Sequence, residues 1–272
     1  MAEAASGAHR GNVAPQANDN QPSSAARAVR TLCCAPSRQW RRGRRIRRMQ
    51  HSAFYVTGTD TGIGKTMGST ALLHALRARG HRAVGMKPVA SGCEHTPQGW
   101  RNEDALALQA ASDPQPDYAT LNPYALPAPL APELAAADVG VTLALEPIAH
   151  AFAQLRTQAE VVVVEGVGGW AAPLSATLDQ ADLVRALQLP VVLVVGVRLG
   201  CINHTRLTAA AIAADGLQCI GWIANEIDPQ MERIEENIGM LRQRLAMPCW
   251  GRIPWRPGAD AVAQAHGLEL PR

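Results

Sequence analysis

Aromatic side chains are scarce: two Phe, three Tyr and six Trp among 272 residues. Any core must therefore be aliphatic, and a hydrophobic content of 47% can supply one. No apolar run reaches the length of a bilayer span, so no membrane partner is expected. The stretch Val191 to Val197 has the length of a buried strand. The six cysteines, at 33, 34, 93, 201, 219 and 249, include no pair with zinc-ligand spacing. That argues against a structural zinc site and reads as reduced, cytoplasmic usage.

Lysine is missing from residues 1–50, which hold ten Arg and two acids and so carry +8. The remainder has 16 basic and 21 acidic residues, a balance of −5 beneath the overall +3. A mildly acidic body gives no reason to expect a nucleic-acid partner. The first 50 residues lack apolar periodicity, so a disordered basic extension is expected there. Three readings of it compete: a basic arm, an organelle transit peptide, or an upstream extension created by start-codon choice. The third is favoured, because the first strand begins almost at once after Met49. Residues 51–272 are expected to form one α/β domain.

That domain is organised around Tyr55-Val56-Thr57-Gly58-Thr59-Asp60-Thr61-Gly62-Ile63-Gly64-Lys65-Thr66. Ala53 to Val56 reads as a short buried strand. Thr66 to Arg79 reads as a helix with Leu72, Leu73 and Leu76 on one face and Gly80 as its stop. A strand, a glycine turn and a helix start at Gly-Lys-Thr form a phosphate cradle, with loop amides and the positive helix end facing the anion. Lys65 reaches outer phosphates, and the Thr66 hydroxyl can ligate Mg²⁺. The spacing is irregular, since Thr59 stands where the usual first glycine would be and Gly58 lies one residue further out. The bland alternative is a chance Gly-Lys-Thr in a surface turn.

Further along, Arg82 to Val89 reads as a strand turning at Pro88. It leaves Lys87 at a carboxyl end, the edge where open α/β sheets bind ligands; the alternative is a solvated lysine. Ser91 to Arg101 reads as a loop. Asp104 opens a helix from Ala105 to Ala111, either as a dipole-complementing acid or as a metal ligand. The proline-dense stretch 113–133 reads as a surface loop outside the core. Helical spacing returns from Glu146 to Thr157. Val161 to Gly166 is a buried central strand whose terminal Glu165 suits Mg²⁺, and Gly166, Gly168 and Gly169 permit close backbone approach. Strands follow at Val191–Gly196, Gln218–Asn225 and Cys249–Trp255. Helices are expected at Thr205–Ala214, with Asn203 as cap, at Met231–Leu245 and at Asp260–His266. Cys201 beside His204 reads as a packed thiol rather than a nucleophile. Alternating strands and helices predict a doubly wound, mostly parallel sheet with helices on both faces, of the P-loop NTPase kind.

Several motifs carry a family likeness in unbroken order from about Phe54 to Trp255. They are Gly58-Thr59-Asp60-Thr61 with Gly64-Lys65-Thr66, Lys87-Pro88-Val89-Ala90-Ser91-Gly92, Arg101-Asn102 with Asp104-Ala105, and Asn122-Pro123-Tyr124. Val164-Glu165-Gly166 with Gly168-Gly169-Trp170, Leu199-Gly200-Cys201-Ile202-Asn203-His204, Gly221-Trp222 with Asn225, and Ile253-Pro254-Trp255 complete the set. Together they resemble the dethiobiotin synthetase family. The resemblance implies an ATP- and Mg²⁺-dependent ligase of biotin biosynthesis. Its substrates would be 7,8-diaminononanoate, CO₂ and ATP, and its products dethiobiotin, ADP and phosphate.

The resemblance also implies roles. Lys65 and Lys87 are catalytic cations; Thr66, Asp104 and Glu165 hold Mg²⁺; Thr61 and Ser91 contact the diamine. Gly62, Ile63, Gly64 and Met67, with Gly166, Val167 and Gly168, cradle the nucleotide, while Asn225, Glu226, Ile253, Pro254 and Trp255 contact its base. In a homodimer, Gly200, Cys201, Ile202 and Asn203 receive the substrate carboxylate of the neighbouring subunit. The chain departs from the family pattern at Gly62, where an acid is often found, and at Glu226, where an aspartate often stands. Rival readings are another P-loop synthetase, such as a cobyrinic-acid amidase, and a partitioning-type ATPase. The latter usually carries a second lysine in the loop, and none lies between Gly58 and Lys65. The extension lies outside the resemblance, so a chain beginning at Met49 is expected to keep full folding and activity, checked by its melting curve and turnover.

Overall fold

The computed structural model describes residues 51–258 and 260–271. The expected disordered extension at 1–50 lies outside the described residues. The chain begins β1 (Ala53–Gly58), α1 (Lys65–Ala78), β2 (Ala83–Met86), β3 (Val89–Ser91), β4 (Glu94–Thr96), β5 (Gly99–Arg101) and α2 (Glu103–Ala111). It continues through α3 (Tyr118–Leu121), β6 (Tyr124–Leu126), α4 (Pro132–Asp138), α5 (Leu145–Gln158), β7 (Val161–Glu165), β8 (Pro173–Ser175), β9 (Leu178–Asp179) and α6 (Gln180–Leu187). The last elements are β10 (Val191–Val197), α7 (Cys201–Ala214), β11 (Cys219–Glu226), α8 (Ile234–Arg244), β12 (Cys249–Ile253) and α9 (Ala261–Ala265).

Six strands form one sheet in the order β12-β11-β10-β1-β7-β2, and every neighbouring pair is parallel. The valine runs explain this arrangement. In β7, Val162 and Val164 face one core, with Tyr55, Ile148 and Val184, while Val161 and Val163 face another, with Leu72, Leu73 and Leu108. A strand apolar on both faces is stable only between two helical layers. Helices α1, α2 and α9 cover one face, and α5 and α6 the other. On that second face, α7 and α8 cover β10 and β11. The connections leave β1 and β10 in opposite directions, so the carboxyl ends of these adjacent strands frame a crevice.

The proline-dense stretch is not the surface loop its composition suggests. It contains α3, β6 and the start of α4, and Leu121 and Leu126 are fully or almost fully buried. The prolines fall where a missing N–H costs nothing: Pro123 between α3 and β6, and Pro132 in the first turn of α4. Strand β6 pairs in parallel with β3. The expected loop from Ser91 to Arg101 is an antiparallel hairpin, β4–β5. Its exposed strands have no apolar alternation to betray them. The strand expected to turn at Pro88 does so: β2 ends at Met86 and β3 begins at Val89. Asn203 is not a cap: α7 begins at Cys201 behind Gly200, whose φ of 93° suits glycine. Elements β8, β9 and α6 had no counterpart in the sequence reading.

Candidate active site

The glycine loop between β1 and α1 turns at Gly62 and Gly64, with φ of 71° and 79°. A side chain at Gly64 would collide with the Asn225 amide, whose Nδ2 donates to the Ile63 carbonyl at 2.8 Å. Asn225, at the end of β11, therefore braces the loop from beneath. Gly58 explains the irregular spacing. A Cβ there would lie 2.7 Å from Ile63 Cδ1 and 2.9 Å from Lys65 Cγ, so the close approach falls one residue early. Lys65 Nζ donates to the Asp60 carbonyl at 2.9 Å. Asp60 in turn receives Arg198 Nη2 at 2.8 Å and the Thr61 N–H at 2.8 Å. Sequence reasoning missed Arg198, which lies between β10 and α7 and carries no local motif.

Lys87 is held from both sides. Its N–H donates to the Leu121 carbonyl at 2.9 Å, and its carbonyl accepts from Asn122 Nδ2 at 2.7 Å. Buried Leu121 and Asn122 of the proline-dense segment thus fix the lysine's backbone. Its ammonium, 2% exposed as a residue, donates to Glu165 Oε1 at 2.7 Å, Asp104 Oδ2 at 2.9 Å and the Gly166 carbonyl at 3.2 Å. The Thr66 hydroxyl lies 2.6 Å from Asp104 Oδ1 and 2.9 Å from Glu165 Oε1. Lys87, Asp104, Glu165 and Thr66 therefore form one cluster.

Burial alone would push the Lys87 ammonium down, but the charges of Glu165 and Asp104 outweigh it and hold the lysine above its usual pKa. Burial works against ionised Asp104 too, yet Lys87 and the Thr66 hydroxyl bring its pKa below the usual value. Lys65 is lowered by burial and by the nearby Lys87 charge, with Glu165, Asp104 and Asp60 partly offsetting them.

Lys65, Thr66, Lys87 and Asp104 line a cleft of about 380 Å³ with Thr61, Gly62, Gly64, Ser91, Asn102, Val167 and Gly168, while Glu165 is fully buried and does not line it. Asn102 was not expected in it. Its Oδ1 caps α2 through the Ala105 N–H at 3.3 Å, and its Nδ2 donates to the Ser91 carbonyl at 3.3 Å. Met67 is in the first turn of α1. Ile253 ends β12, and Pro254 and Trp255 follow it near Glu226, which pairs with Arg252 and accepts the Trp255 N–H at 3.4 Å. None of Gly200, Cys201, Ile202 and Asn203 lines the cleft. Cys201 is 1% exposed and burial raises its thiol pKa, which suits packing better than nucleophilic attack.

A larger cavity of about 740 Å³ lies at the opposite sheet edge, by Gln218, Cys219 and Pro248. It has none of the carboxylates or loop groups of this cluster. Among the described residues no three His, Cys, Asp or Glu gather as a metal cluster, and no helix is long and apolar enough to cross a membrane.

The donor set can be tested against the implied Mg²⁺. Two carboxylates and a hydroxyl offer oxygen only, and Glu165 Oε2 is buried without a hydrogen-bond partner. Mg²⁺ typically takes one or two carboxylates and completes its shell with water and phosphate. The residues fit.

Residues 52–263 match the family model described as an AAA domain. The MinC:MinD cell division protein complex of Aquifex aeolicus gives a TM-score of 0.48 at 12% identity, covering 76% of this chain and 82% of that one. The ATP-dependent dethiobiotin synthetase BioD of Xanthomonas euvesicatoria pv. vesicatoria is 98% identical over 224 residues, which is 82% of this chain and all of that protein. The protein of the same name from Xylella fastidiosa is 72% identical over 209 residues, 77% of this chain and 92% of its own length. With relatives this similar over nearly their whole length, the chain belongs to the ATP-dependent dethiobiotin synthetase family.

Proposed function

We propose that this protein closes the ureido ring of dethiobiotin at the cleft between the phosphate loop, Ser91 and the Gly166–Gly168 turn. It is an ATP-dependent ligase of biotin biosynthesis. The observation that carries the assignment of the site is the Lys87 ammonium bonded to both Asp104 and Glu165 beside the Thr66 hydroxyl. One amine of 7,8-diaminononanoate adds CO₂ to give a carbamate. A carbamate oxygen attacks the γ-phosphorus of ATP and ADP departs. The second amine then attacks the activated carbonyl carbon, closing the ring and expelling phosphate.

Such a sequence needs positioning and charge neutralisation more than covalent help. Lys65 and the loop amides hold the phosphates, and Lys87 offsets the charge that moves between carbamate and phosphate. Thr66, Asp104 and Glu165 would hold Mg²⁺. When bound, that ion would neutralise phosphate charge. Thr61 and Ser91 contact the diamine, with Gly62, Ile63, Met67 and Val167 around the nucleotide. Asn225, Glu226, Ile253, Pro254 and Trp255 border the base. The enzyme acts in the cytoplasm as a homodimer, in which Gly200 to Asn203 receive the neighbour's substrate carboxylate. Supporting the dimer, α7 starts without a side-chain cap, and Leu199 and Leu207 are 90% and 62% exposed.

Purified protein given diaminononanoate, bicarbonate, Mg²⁺ and ATP should yield dethiobiotin by mass. ATP turnover without that product would overturn the reading. Gly64→Ala tests the nucleotide cradle: the new methyl group meets Asn225 on a backbone with φ of 79°. ATP affinity is expected to fall more than tenfold by calorimetry.

A further inference from the structure

Gln180, the first residue of α6, has no part in the reaction just described, yet it is 1% exposed and uses its whole amide on the site. Its Oε1 accepts from Tyr55 Oη at 2.6 Å. Its Nε2 lies 2.9 Å from the Val167 carbonyl, 2.5 Å from that of Gly169 and 3.3 Å from that of Ala172. Carbonyls only accept, so the NH₂ end must face them and the oxygen must face Tyr55. Burial, helped by the Glu165 charge, drives the Tyr55 pKa far up, so its hydroxyl remains a donor.

The segment held this way joins Glu165 to β8 and contains Gly166, Gly168 and Gly169. Glycines give such a turn little stiffness of its own. The Tyr55–Gln180 bond passes directly under Gly166, where a Cβ would stand 2.5 Å from both oxygens. From there the segment presents the Gly166 carbonyl to Lys87 and forms the cleft wall at Val167 and Gly168. Its outer end is tied separately, by Trp170 Nε1 donating to Asp215 Oδ2 at 2.8 Å.

We propose that Gln180 is a positioning residue for the transfer chemistry, clamping the Gly166–Ala172 turn so that Lys87 and the Val167–Gly168 wall keep their places across the cleft from the phosphate loop. The proposal rests on the function assigned to the cleft above.

The test uses the full chain carrying Gln180→Leu, Gln180→Glu or Tyr55→Phe. Gln180→Glu keeps the shape and the acceptor but has no donors for three carbonyls. For both Gln180 variants, kcat for dethiobiotin formation is expected to fall about 10–100-fold, the usual scale for lost outer-shell support. The Kd for ATP should change by much less than kcat, because Lys65 and the loop amides are untouched and only the Val167 side of the nucleotide loosens. Hydrogen exchange across 166–172 should speed up. Tyr55→Phe leaves the amide donors in place and should keep kcat within about threefold. If Gln180→Leu does not fold, Gln180→Glu decides. Folded variants with near-normal kcat would overturn the proposal. So would a loss of ATP affinity matching the loss of kcat, or the unfolding of both Gln180 variants, since either makes the residue merely structural. An inactive wild type would instead overturn the functional reading.

Discussion

Lys87→Met is expected to lose both activity and stability. Turnover should fall on the order of 10²–10³-fold, the scale for removing one preorganised charge contact from a transition state. Position 87 alone would suggest a variant that folds normally, since the lysine sits at a strand end. The structure gives a reason to expect a loss of stability as well, because the Lys87 ammonium is the cation paired with Glu165, whose side chain is fully buried. Removing one partner of a buried ion pair costs about 3–5 kcal/mol. At about 2–4 °C per kcal/mol for a domain of this size, the melting temperature should drop by about 10 °C.

The deficit has a pH signature. The Lys87 pKa is raised on folding, so its contribution is present below the unfolded lysine value and is lost as pH rises through the folded one. Asp104 is depressed, so its contribution is present above the unfolded carboxylate value and is lost as pH falls through its folded one. Both contributions of the wild type are therefore complete between ~pH 5 and ~pH 10 and are lost outside that window. Adding Glu165→Gln to Lys87→Met removes the stranded charge and should restore much of the stability without the activity. Stability and turnover both near wild type in Lys87→Met would remove the lysine from the site and from the pair.

Glu165→Gln alone should separate the two effects in the other direction. Lys87 keeps Asp104 and the Gly166 carbonyl, and Gln preserves the shape, so melting should fall by less than in Lys87→Met. The carboxylate that would take Mg²⁺ is gone, including the buried Oε2 that has no other partner. ATP turnover is expected to fall about 100-fold, within the range for losing an electrostatic contact at a reacting centre. Mn²⁺ binding in the presence of ATP, followed by paramagnetic resonance, should weaken with it. A variant with wild-type turnover would take Glu165 out of the metal site. One that fails to fold would make it a structural residue.

Local patterns were enough to locate much of this architecture. The runs Val161–Val164 and Val191–Val195 have only one stable setting, inside a sheet covered on both faces. Gly-Lys-Thr after a strand places a helix start whose amides face an anion. Lys87 before Pro88 and Glu165 after four valines mark the ligand edge. Each of these is a short-range statement about dihedral freedom or periodicity, which neighbouring residues decide among themselves. The aliphatic bias had the same reach, since a chain poor in aromatics can fill its layers with little else.

Tertiary structure alone decided the partners. The Lys87–Glu165 bond of the cluster spans 78 positions, and the Tyr55–Gln180 bond beside it spans 125. The Asp60–Arg198 link spans 138. No local pattern encodes such a separation. The proline-dense stretch misled for a related reason: its prolines report where helices and strands cannot continue, while burial of Leu121 and Leu126 depends on distant surfaces packing over them. Sequence placed the charged groups at one sheet edge. Which carboxylates Lys87 would join, and that Gln180 would brace the turn beside them, depended on side chains brought together only when the helical layers closed over the sheet.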